Sequence, residues 1–222
     1  MKGRSRSVLV VEDDALLRDL VARSLEGAGL TVETAATAAD AKRAFVRMDP
    51  DAAVIDVELG PGPNGFDLAT ALRDRAPHLA VVFLTNLPDP RFAARGSDEI
   101  AGPVSYLRKS QLTDVATLLD ALDATMRGSR VGMIRHDIIA NRPLAHLTRK
   151  QVDVLRLIAE GQTNAQIARE RGITAKAVED TIGRIASALH IESSDQVNLR
   201  VAIARRYLDA TGGRPGADVA RA

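Results

Sequence analysis

Oxygen and nitrogen side chains recur at the ends of short apolar runs in the first half of this 222-residue chain. Glu12, Asp13 and Asp14 follow the run 8–11, Asp56 lies in the run 52–57, Thr85 follows the run 80–84, and Lys109 comes just past the run 104–107. Taken singly these residues have plain uses. An Asp after a strand commonly caps a helix, a Thr commonly sits in a turn, and a Lys is commonly solvated. Gathered at one place they mean more. Clustered carboxylates repel, and one is driven toward protonation unless a cation neutralises them. Oxygen donors with no His or Cys among them suit Mg²⁺, which takes few carboxylates and keeps several waters. A carboxylate held in this way beside a hydroxyl and an ammonium can receive a phosphoryl group, with Asp56 as the oxygen nucleophile and the metal and Lys109 offsetting charge. A plain Mg²⁺ site without group transfer is the alternative, and it leaves Thr85 and Lys109 without a role.

The elements that must gather these residues are legible as a pattern. The runs 8–11, 31–34, 52–57, 80–84 and 104–107 are short and nearly continuous in apolar character, as strands buried on both faces of a parallel sheet are. Helical stretches alternate with them. Leu16, Leu17, Leu20, Val21 and Leu25 form one stripe, and Val115, Leu118, Leu119, Leu122 and Met126 another. Five such units predict a doubly wound α/β domain with a five-stranded parallel sheet over residues 1–127. In open sheets of this kind ligands bind beyond the carboxyl ends of the strands, which is where the cluster falls.

Composition bounds the rest. Hydrophobic residues are 45% of the chain but aromatics only 3%, with no Trp, so the cores must be aliphatic. Cys is absent, which excludes disulfides and thiolate metal sites and suits a cytoplasmic protein. No apolar run approaches a membrane span or a secretory signal. The net charge of +1 hides an asymmetry: residues 1–128 hold 15 Lys and Arg against 19 Asp and Glu, and residues 129–222 hold 15 against 10. The basic half is the candidate to meet a polyanion, with ordinary surface charge as the plainer account.

Residues 128–145 have no clear period and read as a linker. Residues 146–210 then read as wholly helical. Thr148 with Gln151, Thr163 with Gln166 and Ser193 with Gln196 have the spacing of capping boxes, and Thr174 can cap a helix alone. These predict helices over 148–160, 164–171, 174–190 and 194–208, with Gly161 and Gly172 ending the first two. The short turn 172–174 predicts a helix-turn-helix. Ile167, Ala168, Ile173, Val178, Ile182, Ile185 and Leu189 are its expected core. Val197, Val201, Ile203, Ala204 and Leu208 are the apolar face of the last helix. Residues 211–222 are expected to be a disordered tail.

The strings VLVVEDDALLR, AAVID with Asp56, VVFLT with Thr85 and SYLRK with Lys109 resemble the receiver domain of bacterial response regulators over roughly residues 6–127. The resemblance implies Glu12, Asp13 and Asp56 as the Mg²⁺ ligands and Asp56 as phospho-acceptor. It implies Thr85 as the hydroxyl that moves to the phosphate, Lys109 as its ion-pair partner, and Tyr106 as the aromatic that swings inward on activation. A packing role for Tyr106 stands beside the switch role. Ser110 replaces the family's usual Pro, the loop VELGPGPNG is one residue longer than the common pattern, and the Thr85–Lys109 spacing is two longer. Glu58, two past Asp56, sits where it can influence attack of water on a phospho-Asp, or be a solvated loop acid.

The stretch LTRKQVDVLRLIAEGQTNAQIARERGITAKAVEDTIGRIASALHI resembles the LuxR/NarL-type DNA-binding domain. It departs from the family where DNA is touched: two basic positions and a His are replaced, and Glu179 and Asp180 add negative charge. Lys176, Glu179, Asp180, Gly183, Arg184 and Ser187 are the expected DNA-facing residues, with Glu179 able to accept from cytosine. Gly183 either admits a close DNA backbone or lets a neighbouring helix pack. The combined expectation is a two-component response regulator, not a turnover enzyme. A histidine kinase phosphorylates it on Asp56, and it acts on DNA as a homodimer formed on activation; the last helix either only caps the core or, as in the family it resembles, serves dimerisation. A phosphorylation-gated protein-interaction adaptor and an orphan regulator that dimerises without phosphate are the alternatives.

Overall fold

The computed structural model describes residues 6–93, 103–129, 132–139, 143–191 and 198–213. Packing divides the chain into two compact units, residues 1–86 with 95–138, and residues 87–94 with 139–222.

In the first unit, β1 (Ser7–Val11), β2 (Thr31–Ala35), β3 (Ala52–Ile55), β4 (Ala80–Thr85) and β5 (Val104–Arg108) form one parallel sheet in the order β2-β1-β3-β4-β5. The doubly wound α/β class is therefore as expected. Val8, Val10, Val54, Val82 and Leu107 are buried beneath the helices α1 (Ala15–Gly27) and α4 (Val115–Met126), which contribute Val21, Leu25, Leu118 and Leu122. Helices α2 (Ala38–Met48) and α3 (Gly65–Arg73) complete the α-helices described in this unit. The α1 stripe buries less than its spacing predicts, since Leu16 and Leu20 are 70% and 53% exposed. Only the side on which Val21 and Leu25 lie meets the sheet. Between β4 and β5 the described residues form a single 3-10 turn, Pro90–Phe92, and residues 94–102 lie outside them.

The second unit contains α5 (Arg149–Ala159), α6 (Asn164–Arg171), α7 (Ala175–Ala188) and α8 (Leu199–Thr211). Thr148 with Gln151 and Thr163 with Gln166 form the expected reciprocal caps, and Thr174 caps α7 by accepting from Ala177 N–H. Gly172 takes a left-handed conformation at φ 63°, which closes α6 and allows the chain to turn within two residues into α7. The core is Leu155, Ile158, Ile167, Val178, Ile185, Ile203 and Tyr207. Ile173, expected there, is 41% exposed because it sits in the turn rather than on a helix face, and Ile182 and Leu189 are only half-buried. The last helix starts at Leu199 rather than at residue 194. Its cap is Asn198, whose side chain accepts from Arg200 and Val201 N–H. Ser193, Gln196 and Val197 lie outside the described residues, Val201 is 50% exposed, and Thr211, expected in the tail, is a buried last helical residue.

Residues 87–93 are part of this second unit. Phe92, 2% exposed, stacks on Tyr207 of α8 with centroids 5.7 Å apart. Arg91 pairs with Asp89 and donates to the Leu147 carbonyl just before α5.

Candidate functional site

Neighbouring strand ends bring the carboxylates together. Glu12 follows β1 and donates its N–H to Ala35 C=O at 3.1 Å, and Asp56 follows β3 and donates its N–H to Val11 C=O at 2.8 Å. Both side chains are buried, whereas Asp13 is exposed. Glu12, Asp13 and Asp56 each place a carboxylate oxygen within 4.8 Å of the others. Asp14, next in sequence, is engaged elsewhere as the α1 N-cap, accepting from Leu16 and Leu17 N–H.

Lys109, one past β5, reaches into this group. Its Nζ lies 2.6 Å from Asp56 Oδ2 and 2.7 Å from Glu12 Oε2. Burial works against the charged ammonium, but Asp56 and Glu12 outweigh it and its pKa is raised. Glu12 is pushed up to about 7, first by burial and then by the Asp56 charge, with Lys109 only partly compensating. One ammonium does not neutralise three carboxylates, and the surplus negative charge with an all-oxygen donor set fits a hard divalent cation.

Thr85 ends β4 fully buried, in register with Arg108 of β5 and so beside the strand that delivers Lys109. Tyr106, at the middle of β5, is 0% exposed with its ring 6.2 Å from that of Phe83. Asp56 Oδ1 accepts from Glu58 N–H at 3.1 Å, so residue 58 meets the acceptor carboxylate through its backbone.

Two residues that shape the pocket escape a reading of the sequence. Gly65 opens α3 against Asp56, where a β-carbon would lie 2.1 Å from the Asp56 carbonyl oxygen. Only glycine permits that approach, and its one signal in the sequence is a Gly at a helix start. Arg18 of α1 donates from Nη1 to the Glu12 and Asp13 carbonyls at 2.7 and 3.2 Å, holding the acidic turn from below. Its signal is an Arg one turn into the helix that follows the acidic triplet.

The second candidate surface is α7. Lys176, Glu179, Asp180, Gly183, Arg184 and Ser187 are all exposed, at spacings that place them along one side of the helix. Its cations are partly occupied by the helix itself: Lys176 Nζ is 3.3 Å from Asp180, and Arg184 donates to the Asp180 carbonyl and the Thr181 hydroxyl. A β-carbon on Gly183 would meet nothing within 4 Å among the described residues, so close packing against them does not account for this glycine.

Comparison with known proteins agrees with this architecture. The family model described as response regulator receiver domain matches residues 8–123, and that of bacterial regulatory proteins, luxR family, matches residues 145–200. The chain is 28% identical to the transcriptional regulatory protein LiaR of Bacillus subtilis, over 90% of this chain and 98% of that one. It is 30% identical to the transcriptional regulatory protein FixJ of Azorhizobium caulinodans, over 79% and 82%. A structure of RcsB from Salmonella enterica serovar Typhimurium, bound to promoter P1flhDC in the presence of phosphomimetic BeF3-, shares the fold. Its TM-score is 0.59 at 19% identity, over 93% of this chain and 100% of that one. The chain belongs to the response regulators of two-component systems, with a receiver domain followed by a LuxR-type DNA-binding domain.

Proposed function

We propose that Asp56 is the phospho-acceptor, receiving a phosphoryl group from the histidine of a sensor kinase, and that the modification controls DNA binding through α7. The observation that carries this reading is the placement of Lys109 between two buried carboxylates, Asp56 and Glu12, with a carboxylate oxygen of Asp13 within 4.8 Å of theirs. In the transfer an Asp56 oxygen forms the new P–O bond as the P–N bond to the kinase histidine breaks, and that histidine regains a proton. Glu12, Asp13 and Asp56 would hold Mg²⁺, which when bound supplies positive charge against the transferring oxygens. Lys109 holds the same charge from the other side, Gly65 and Arg18 fix the backbone around it, and Thr85 and Tyr106 reposition on modification. Water returns the acyl phosphate to the carboxylate, so the protein undergoes one modification cycle and is not a turnover enzyme.

Residues 1–127 act as receiver, 128–145 as linker and 146–210 as the DNA-binding domain. Lys176, Glu179, Asp180, Gly183, Arg184 and Ser187 face DNA, and a homodimer forms on activation. No helix among the described residues is long and apolar enough to cross a membrane, and a cytoplasmic location suits both partners. One observation favours a second reading, a phosphorylation-gated protein-interaction adaptor: the cations of α7 are drawn onto Asp180 and Thr181 rather than outward.

Gel shifts with promoter DNA over a salt series, with Mg²⁺ and beryllofluoride and with Asp56→Asn, separate these readings. The regulator reading predicts specific retention that beryllofluoride strengthens, a strengthening that Asp56→Asn abolishes. Absence of specific binding at low salt in either state favours the adaptor. An oligomeric state and DNA affinity indifferent to both treatments would overturn phosphorylation as the switch.

A further inference from the structure

The strand order leaves β5 at the edge of the sheet, with one row of backbone groups facing away from β4. Exposed edges of this kind invite pairing with other strands. Here the segment after α4 occupies the edge. Tyr106 N–H donates to Ile134 C=O at 2.6 Å and His136 N–H donates to Tyr106 C=O at 3.0 Å, a parallel bridge between Tyr106 and Arg135. Arg108 N–H donates to His136 Nδ1 at 3.0 Å, so the imidazole extends the ladder in place of a carbonyl. Burial and the Arg108 charge lower the His136 pKa, which favours the neutral ring that can accept this bond.

Side chains tie the segment to β5 and brace it internally. Ile134 N–H donates to Ser105 Oγ at 3.3 Å, and the Ile134 side chain packs against the core of the sheet. Arg135 donates from Nε and Nη2 to the two oxygens of Asp137, both at 2.7 Å, and Asp137 is itself only 4% exposed. The Asp137 hydrogen bonds raise the pKa of the Arg135 guanidinium and hold it charged. Tyr106 thus has Phe83 on one side and the segment along its backbone on the other.

We propose that residues 134–137 form a clasp that keeps Tyr106 inside the sheet, so that pairing of this segment with β5 and burial of the Tyr106 ring are one equilibrium. An outward Tyr106 needs the edge cleared, and a detached segment removes the backbone partners that fix residue 106. Because Lys109 lies three residues further along, a change at the pocket alters the clasp and a change at the clasp alters the pocket, as linkage requires. This coupling, unlike the clasp, rests on the phosphoryl-acceptor reading.

The chain has two tyrosines and no tryptophan, so Tyr207→Phe leaves Tyr106 as its only strong emitter. In that full-length background, acrylamide quenching reports the ring and amide hydrogen exchange reports the Tyr106 and His136 N–H groups. His136→Pro removes both the N–H and the imidazole. The clasp predicts roughly threefold stronger quenching and about tenfold faster Tyr106 exchange, the behaviour of a locally opened edge. Arg135→Ala, which leaves the backbone intact, changes both in the same direction by less, and circular dichroism shows whether each variant is folded. Faster exchange with unchanged quenching would overturn the clasp, as would no change in either variant. With Mg²⁺ and beryllofluoride on the Tyr207→Phe protein, exchange at Tyr106 and His136 shifts by about threefold or more if pocket and clasp are linked. If Glu58 N–H gains protection while Tyr106 and His136 do not respond, the coupling fails and the acceptor reading stands. If Glu58 is also indifferent, the acceptor reading fails and the coupling with it, and the quenching result still decides the clasp.

Discussion

The acidic pocket and the outer face of α7 both carry charge, but they are built in opposite ways. The pocket takes Glu12 and Asp13 from the end of β1 and one residue each from the ends of β3, β4 and β5, buries Glu12, Asp56 and Thr85, and ties two of them with a single ammonium. The α7 face is one exposed stretch of one helix, where Lys176 pairs with Asp180 and Arg184 donates to the Asp180 carbonyl and the Thr181 hydroxyl. A buried site constrains its members against each other, so a change at one residue is felt by all. An exposed face is constrained by its partner, and its residues can vary nearly independently while the fold stays the same.

Removing a member of each surface shows the contrast. Lys109→Ala leaves two buried carboxylates facing each other, and in metal-free protein it lowers stability by about 3 kcal/mol, read by denaturant titration of the sheet. Added Mg²⁺ recovers part of the loss if the remaining acids hold it. Gly65→Ala forces a methyl against the Asp56 carbonyl and costs about 2 kcal/mol or more, with phosphoryl acceptance falling in step because α3 must retreat. A normal melting curve for this variant would contradict the tight approach of α3.

The pH dependence has a definite sign. Glu12 is raised from its usual value to about 7, so the folded chain binds a proton there that the unfolded chain has already lost. Metal-free stability is therefore highest below about 4.5 for this group and declines as pH rises to about 7. Glu12→Gln removes that decline, and Mg²⁺ shallows it by competing with the proton. Calorimetry across this range is the check.

On α7 the expected effects are smaller and separable. Lys176→Ala and Arg184→Ala each weaken DNA retention and each reduce the slope of log affinity against log salt by about one. If both slopes are unchanged, α7 does not contact phosphate. Gly183→Ala raises helix stability by about 1 kcal/mol, because the position is open. If that variant binds DNA less well while melting higher, the glycine admits the DNA backbone.

The same difference in construction explains what was legible in the sequence. Residues at strand ends must converge in a doubly wound sheet, so Glu12, Asp13, Asp56, Thr85 and Lys109 could be gathered from the pattern of apolar runs alone. The supporting residues could not. Gly65 matters through a backbone approach that no spacing encodes, and residues 134–137 pair through one bridge, too short to show a period. The stripe on α1 overstated burial because Leu16 and Leu20 follow the helical period without meeting the sheet. α8 starts at Leu199 because the Asn198 side chain accepts from Arg200 and Val201 N–H, a local cap to which the spacing of Ser193 and Gln196 does not point. Residues 87–93 lie in sequence between two strands, yet Phe92 finds its stacking partner on α8, far along the chain.

The most direct test of the central claim is intact-mass and peptide mass spectrometry of the full chain after incubation with Mg²⁺ and a small acyl-phosphate donor. The account predicts one added phosphoryl group, labile to hydroxylamine, on the peptide containing Asp56, and none on Asp56→Asn. A phosphoryl group on any other residue, or none at all on a folded protein, would contradict it.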